Sequence, residues 1–487
     1  MNDLARFGPN FARKTVAIVG GGFSGAAIAY HVAQATAAGT ITIVVFEPRK
    51  MLGAGLAYST LEPAHRINVP ASKMSLVSDD GEHFARWLSA SGELGDDPQA
   101  VTSGGDAFPQ RSMFGRYVAD HLAAPIKAGR IRHERSRVED IRIRPDGRFD
   151  IRHDGGTTTA DIVALATTHP LPAIPGPLRA VADHPGLVCN PYDPAALGSI
   201  APDSRVLIIG NGLTAADVVA MLDRKGHRGC ITALSRHGFR SRGHAATPQP
   251  ATGDFSTAPA RTALSLLRRV RRTVVEAGQE GFGWQAVIDK VRSEGQIIWS
   301  ALPVAERVRL VRHLRTVWDV HRFRIAPQVE AVLERRAAEG RFRSIAAQLV
   351  FAQGHGKTIE VAYRLRRASE TVVERFDAVV NTTGPAHRSV VEGAGALSSL
   401  HEAGLLRLDT VGLGLDVAPD GRAVGRDARA VDGLYVGGPL ARGTFGELMG
   451  LPEVTRYAEF IAAEIAHGLA MPRGGALDSI AWKDRSP

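Results

Sequence analysis

Two runs of aliphatic and β-branched residues, each followed at once by a glycine-spaced turn and a helix of small residues, set the rhythm of the chain. The first is TVAIVGGGFSGAAIAYHV, residues 15–32; the second is DSRVLIIGNGLTAADVVAMLDRKG, residues 203–226. An apolar run without polar alternation reads as a strand buried on both faces, as in a parallel sheet. Each pair leads to a further apolar strand, ITIVVFE over 41–47 and CITALS over 230–235. Strand, glycine turn, helix, strand, twice over, predicts an α/β chain with two Rossmann-like dinucleotide-binding domains.

Between these units the periodicity changes. Residues 82–126 read as helical, with a loop at GGDAFPQRSMFGRY, 104–117, where Arg111 and Arg116 are candidate anion contacts. GRIRHERSRVEDIRI and GRFDIRHDG, residues 129–143 and 147–155, alternate in period two, as a small antiparallel sheet does. ADIVALATTHP, 160–170, then closes the first unit with a buried strand.

Two internal echoes pair the units: AGRIRHERSRV (128–138) with EGRFRSIAAQL (339–349), and ADIVALATTHP with FDAVVNTTGP (376–385). The second unit is interrupted at 245–335 by a proline-containing loop and arginine-rich helical patterns. RTALSLLRRVRRTVVEA (261–277) sets apolar positions at helical spacing against a basic face. It suits a docked helix with a solvated face, and alternatively a membrane surface. Trp284, Trp299 and Trp318 read as packing anchors. The expected organisation is 1–198 for the first dinucleotide-binding domain (first part), 199–385 for the second with its helical insert, 386–472 for a return to the first domain, and a disordered tail over 473–487.

The glycines carry distinct duties. Gly20 makes the turn, Gly22 lets backbone approach a pyrophosphate, and Gly25 lets the helix pack on the strand, with the anion on the helix N-terminus. Glu47 ends the second strand, where a carboxylate holds ribose hydroxyls. Gly210, Gly212 and Ala215 repeat the spacing, but here the strand ends on Ser235 and Arg236. Hydroxyl plus guanidinium suits the extra phosphate of NADP, whereas an acid suits NAD; NADPH is the expected reductant over NADH. Gly53 and Gly55 suit close approach of backbone to a flat ligand, and Asn68, Val69 and Pro70 form a stiff segment beside them.

Composition narrows the classes. The chain has 487 residues and a net charge of +9, largely from arginine. No aromatic platform or nucleic-acid motif accompanies those arginines, so phosphorylated cofactors and an acidic substrate explain the charge without a nucleic-acid partner. Cys189 and Cys230 are far apart and outside any CxxC, which argues against disulfide or cysteine-metal chemistry; no metal is expected. The first residues lack a signal-peptide core and no run is long enough to span a membrane. A soluble, cytoplasmic protein is expected, with self-association into a homo-oligomer left open.

GGGFSG with Glu47, GLAYS (55–59), RINVPASKMS (66–75), FGRYVADHL (114–122), LIIGNGLTAADVV, SRHG (235–238), WDVHRFRIAP (318–327) and GPLARGTFGEL (438–448) occur in order. Together they resemble the FAD/NAD(P)-binding family that contains bacterial L-aspartate N-monooxygenases, related to the class B flavin monooxygenases. The resemblance implies FAD on Gly20, Gly22, Ser24, Gly25, Glu47, the segment with Asn68, Val69 and Met74, and the turn at Gly437 and Pro439. It implies NADPH on Gly210, Gly212, Ala215, Ser235 and Arg236. One position departs: Thr168 stands where the family commonly has glycine, adding bulk where backbone passes a cofactor.

Two cofactors in one cleft imply that hydride passes to the flavin, O₂ adds as a C4a-hydroperoxyflavin, and an amine attacks it. The chemistry is flavin-borne, so no catalytic side chain is singled out. An aspartate-like amine or amino acid needs cations to hold its carboxylates; Lys73, Arg111, Arg242 and Arg322 are the candidates. His321 reads as a hydrogen-bonded structural histidine, with proton donation as the alternative. The other readings are a flavin monooxygenase acting on carbon or sulfur, and an NADPH-flavin reductase or redox-sensing flavoprotein.

Overall fold

The computed structural model describes residues 13–393 and 395–470. The expected leaderless N-terminus and the tail after residue 470 lie outside the described residues.

The first apolar run forms the strand Lys14–Val19 at the middle of a six-stranded sheet. Its order is Arg422–Val424, Ala430–Val436, Ile162–Leu165, Lys14–Val19, Ile41–Phe46, Ile131–Glu134. The second run forms Val206–Ile209 in a seven-stranded sheet of order Thr371–Phe376, Thr358–Leu365, Phe342–His355, Ile231–Ser235, Val206–Ile209, Ala378–Asn381, Leu187–Val188. Both central strands are flanked by parallel partners in the same relation. The helices Phe23–Ala35 and Leu213–Arg224 lean on their sheets through buried alanines and valines, because small side chains allow close helix-to-sheet contact.

The echoes mark equivalent strands. Ile131–Glu134 pairs in parallel with Ile41–Phe46, as Phe342–His355 pairs with Ile231–Ser235. Ile162–Leu165 and Ala378–Asn381 each lie beside a central strand. Asp161 accepts from the Thr15 amide at 2.8 Å and Asp377 from the Arg205 amide at 2.6 Å, so the same carboxylate opens the same strand pair twice.

Two sequence expectations are corrected. Residues 131–134 do not belong to the antiparallel sheet. They form the parallel edge of the first sheet, leaving Val138–Ile143, Phe149–His153 and Gly156–Ala160 as the three-stranded antiparallel sheet. The loop expected over 104–117 ends at Gln110, and the helix Arg111–Lys127 takes up the rest, burying Met113, Phe114, Tyr117 and Val118 on one face.

After Ile231–Ser235 the chain leaves the second sheet and runs through Ala263–Gln279, Trp284–Ser293, Gly295–Ala301 and Val304–Arg322. The excursion is pinned at its neck: the Arg242 amide donates to the Val320 carbonyl at 2.9 Å, and the Ile325 amide to the Arg242 carbonyl at 3.0 Å. The next helix, Pro327–Ala338, packs on Leu213–Arg224 as the crossover into Phe342–His355, held by the buried Arg336 against Asp223 and the carbonyls of His227 and Gly229. Trp299 anchors the excursion to the C-terminal segment, donating from its indole to the Gly443 carbonyl at 3.0 Å. Trp284 stacks edge-on against His321, whose Nδ1 donates to the Val317 carbonyl, a structural role for that histidine.

Candidate functional site

Both glycine turns sit at the C-terminal ends of their central strands, where ligands bind in open α/β sheets. Gly20 has φ +100°, Gly210 has φ +109°, and a Cβ on either would meet a strand-exit carbonyl: Ala166 O at 2.6 Å or Thr382 O at 2.5 Å. A Cβ on Gly25 would land on the Gly20 carbonyl oxygen, so this glycine brings the helix down onto its strand. No side chain caps the N-terminus of either Phe23–Ala35 or Leu213–Arg224. Their first amides and dipoles are therefore offered to an anion. Gly212 has open space where a Cβ would stand, and Gly22 faces only the Gly55 Cα at 3.4 Å.

Glu47 is buried at the end of Ile41–Phe46, accepting from the Gly21 amide at 3.1 Å and the Arg49 amide at 3.0 Å. Its carboxylate is thus fixed beside the glycine turn. Ser24 lies against Gly438 in the turn at Gly437 and Pro439, and the Gly437 amide donates to Leu165 O at 2.7 Å. Met74 is buried in the first core, whereas Asn68 stands where the units meet: its carbonyl accepts from His244 Nε2 at 3.0 Å. In the second unit Ala215 is buried, Ser235 Oγ accepts from the Gly238 amide at 3.0 Å, and Arg236 is exposed. Beside them Phe239, Arg240, Arg242 and Ser344 line a cleft of about 450 Å³.

Gly53 and Gly55, expected at a flat ligand, also make close contacts within the chain. A Cβ on Gly53 would collide with the Val118 side chain, and one on Gly55 would meet the Gly22 Cα at 2.9 Å. Gly55 thus brings its backbone onto the first glycine turn.

The four cations expected at the substrate do not converge. Lys73 is exposed on the turn Ala71–Lys73, and Arg242 is exposed at the second-unit cleft. Arg111 is spent on an ion pair with Asp217, Nη1 to Oδ2 2.8 Å and Nη2 to Oδ1 3.0 Å, which ties the first unit to the helix Leu213–Arg224. Arg116 is held by Glu93. Only Arg322 lies in a cavity between the excursion and the C-terminal segment. That cavity, about 210 Å³, has apolar walls that include Leu266, Ile298, Trp299 and Leu413, and a charged end formed by Arg315, Asp319, Arg322, Arg442 and Glu447. Arg322 is fully buried and paired with Glu447. Burial pushes the Arg442 guanidinium down to about 10 and raises the Asp319 carboxyl. One more cation than carboxylate faces this space.

Sequence reasoning missed Arg315, Arg442, His169 and His387. His387 Nε2 accepts from Arg315 Nη2 and Arg442 Nη2, both at 3.0 Å, and its Nδ1 lies 3.3 Å from His169 Nδ1. Burial is the main reason the imidazoles are held neutral, His169 at about 4 and His387 at about 2. The signal was present: the echo between 160–170 and 376–385 places both histidines just after equivalent strands. Thr168 is exposed, so its side chain does not press on the glycine turn; the backbone of Ala166 and Thr167 is what confines Gly20.

Among the described residues no group of three or more His, Cys, Asp or Glu is placed to hold a metal ion, and no helix is long and apolar enough to cross a membrane.

The paired glycine turns, each at the parallel centre of a mixed sheet, define a fold with two dinucleotide-binding units. Residues 17–170 match the family model described as FAD-NAD(P)-binding. Over nearly the whole chain the fold is similar to three solved structures. Ornithine hydroxylase from Pseudomonas aeruginosa is 18% identical with a TM-score of 0.63, covering 94% of this chain and 100% of that one. Ornithine N-hydroxylase from Kutzneria sp. 744, solved with reduced FAD, NADP⁺ and L-ornithine, is 18% identical with a TM-score of 0.60, covering 93% and 99%. L-lysine 6-monooxygenase from Pseudomonas syringae is 19% identical with a TM-score of 0.60, covering 93% and 98%. No curated protein matches the sequence.

Proposed function

We propose that the protein is an NADPH- and FAD-dependent monooxygenase that N-hydroxylates a small, carboxylate-bearing amine, aspartate-like in size and charge. The observation that carries this reading is the 210 Å³ cavity with Arg315, Arg322 and Arg442 at one end. It lies below the roughly 300 Å³ at which pockets for drug-sized ligands begin, and its excess cation suits a carboxylate. The similar structures are of ornithine and lysine hydroxylases, which supports the reaction class.

In this reading the amides at the start of Phe23–Ala35 hold the FAD pyrophosphate, Glu47 the ribose, and the Gly437 turn and the Asn68 segment the remainder. The start of Leu213–Arg224 holds the NADPH pyrophosphate, with Ser235 and Arg236 on the additional phosphate. When bound, the flavin supplies the hydride-accepting and oxygen-activating chemistry. The chain's own residues bind and orient. Arg322 and Arg442 fix the substrate carboxylate, and the apolar wall around Leu413 and Trp299 excludes water, which strengthens those ion pairs.

The test is NADPH oxidation by the purified flavoprotein with a panel of amino acids and diamines, hydroxylamine product being assayed in parallel. Stimulation by an acidic amino acid with matching hydroxylamine is expected. Hydrogen peroxide without hydroxylamine across the panel overturns the N-hydroxylase reading.

A further inference from the structure

The exit loops of the two equivalent strands each carry a histidine, and the two rings meet. His169 follows Ile162–Leu165 and His387 follows Ala378–Asn381; their centroids are 4.4 Å apart and the planes nearly perpendicular, at 84°. A guanidinium has donors only. Because Arg315 and Arg442 both point an Nη2 at His387 Nε2, that nitrogen accepts from both, and the His387 proton resides on Nδ1. The Nδ1–H then donates to His169 Nδ1, and His169 is left with its own proton on Nε2. That nitrogen is buried and has no hydrogen-bond partner; two residues earlier Thr167 Oγ1 is also buried and unpartnered. Buried donors are almost always satisfied in folded proteins. Two orphans thus lie on one loop, one residue and three residues beyond the Ala166 carbonyl that leaves no room for a side chain at Gly20.

We propose that His387 and His169 form a fixed-tautomer pair ending in a single donor, the His169 Nε2–H, which binds an acceptor oxygen of a ligand held beside the first glycine turn. This rests on the reading of that turn as part of the cofactor and substrate site. His169 is then a binding residue. His387 and Arg315 are positioning residues, and Arg442, besides facing the charged cavity, positions through its Nη2, because a ring's tautomer is set by the bond its other nitrogen makes. Arg315 comes from Val304–Arg322 and Arg442 from Arg442–Phe445, so the donor is defined only when the excursion and the C-terminal segment are both seated. A carbonyl or carboxylate is accepted at this point, whereas an ammonium group, which can only donate, is refused. The oxygen can belong to the flavin ring, the nicotinamide carboxamide or the substrate carboxylate, which share this chemistry.

The experiment uses the FAD-loaded full chain with ¹⁵N-histidine, recording long-range ¹H–¹⁵N correlations, with His169→Gln and His387→Gln for assignment. The expected spectrum shows His387 as the Nδ1–H tautomer and His169 as the Nε2–H tautomer. The His169 signal moves on addition of NADP⁺, of L-aspartate, or on reloading the apoprotein with FAD, and the responding arm names the source of the oxygen. His169→Ala weakens binding of that ligand roughly tenfold, and His169→Gln, which keeps an N–H, restores most of it. His387→Leu reproduces the loss, while His387→Gln, retaining an acceptor and a donor, does not. A His169 proton on Nδ1, or a signal that none of the three ligands moves, overturns the proposal. Should His169→Ala fail to fold, the wild-type spectrum and titrations still decide. A chain that shows the tautomers and the FAD response yet makes no hydroxylamine sinks the N-hydroxylase reading while leaving this pair standing.

Discussion

The two units share a strand order but use the acceptor at the end of the second strand differently. In the first, Glu47 is buried and folds back onto the Gly21 amide, and the Gly21 position has no room for a side chain, since a Cβ would touch the Glu47 and Leu52 side chains. In the second, Asn211 takes the matching place, donating from Nδ2 to Ser344 Oγ at 3.1 Å, and the strand ends on Ser235 with Arg236 exposed. A site that wraps its ligand in buried polar contacts suits a resident group; one that offers an open helix start and an exposed cation suits a group that comes and goes. The difference is one of burial, carried on the same scaffold.

The sharpest way to break the comparison is at the third glycine. Gly25→Ala drives a methyl into the Gly20 carbonyl and is expected to destabilise by more than about 3 kcal/mol with loss of bound FAD. Ala215→Gly, at the matching position, costs about 1 kcal/mol; urea unfolding followed by flavin and peptide signals compares them. Next comes the excursion, which only the second unit carries: Arg322→Met leaves Glu447 buried without its partner and costs roughly 3–5 kcal/mol.

The histidine pair gives a pH test. Both imidazoles are depressed from 6.5 in the folded state, to about 4 and about 2, so the unfolded chain binds protons that the native one refuses. Their contribution is complete above pH 6.5 and is lost as pH falls toward 4, by at most about 1.4 kcal/mol per unit for each and less for the partly exposed His169. Urea midpoints at pH 7.5, 6 and 5 measure the slope, which a His169→Gln, His387→Gln double variant flattens. The smallest stability change belongs to Gly212→Ala, with open space around it: within about 1 kcal/mol, yet NADPH KM rises about tenfold or more because the methyl occupies the pyrophosphate approach. An unchanged KM removes Gly212 from the cofactor site.

What was legible in the sequence is what short-range pattern dictates: the glycine turns, the buried strands beside them, and the echoes that aligned residues 161 and 377. Strand 131–134 was misread because its polar alternation fits an edge of either sheet, and only pairing with Ile41–Phe46 decides. The partners of the cations were illegible for a related reason. Nothing local to Arg111 reveals that Asp217 stands opposite, and nothing local to Arg442 reveals His387, since a guanidinium's partner is chosen by the fold.

Because residues 242 and 325 are joined by backbone hydrogen bonds at the neck, everything between them is a graft on a finished sheet. Its length can change without displacing a strand of the second sheet, provided the contacts of His244, Trp299, Arg315 and Arg322 with the rest of the chain persist. On the proposed reading, the walls of the charged cavity that come from the excursion can then change while the helix start and strand ends of the second sheet stay as they are.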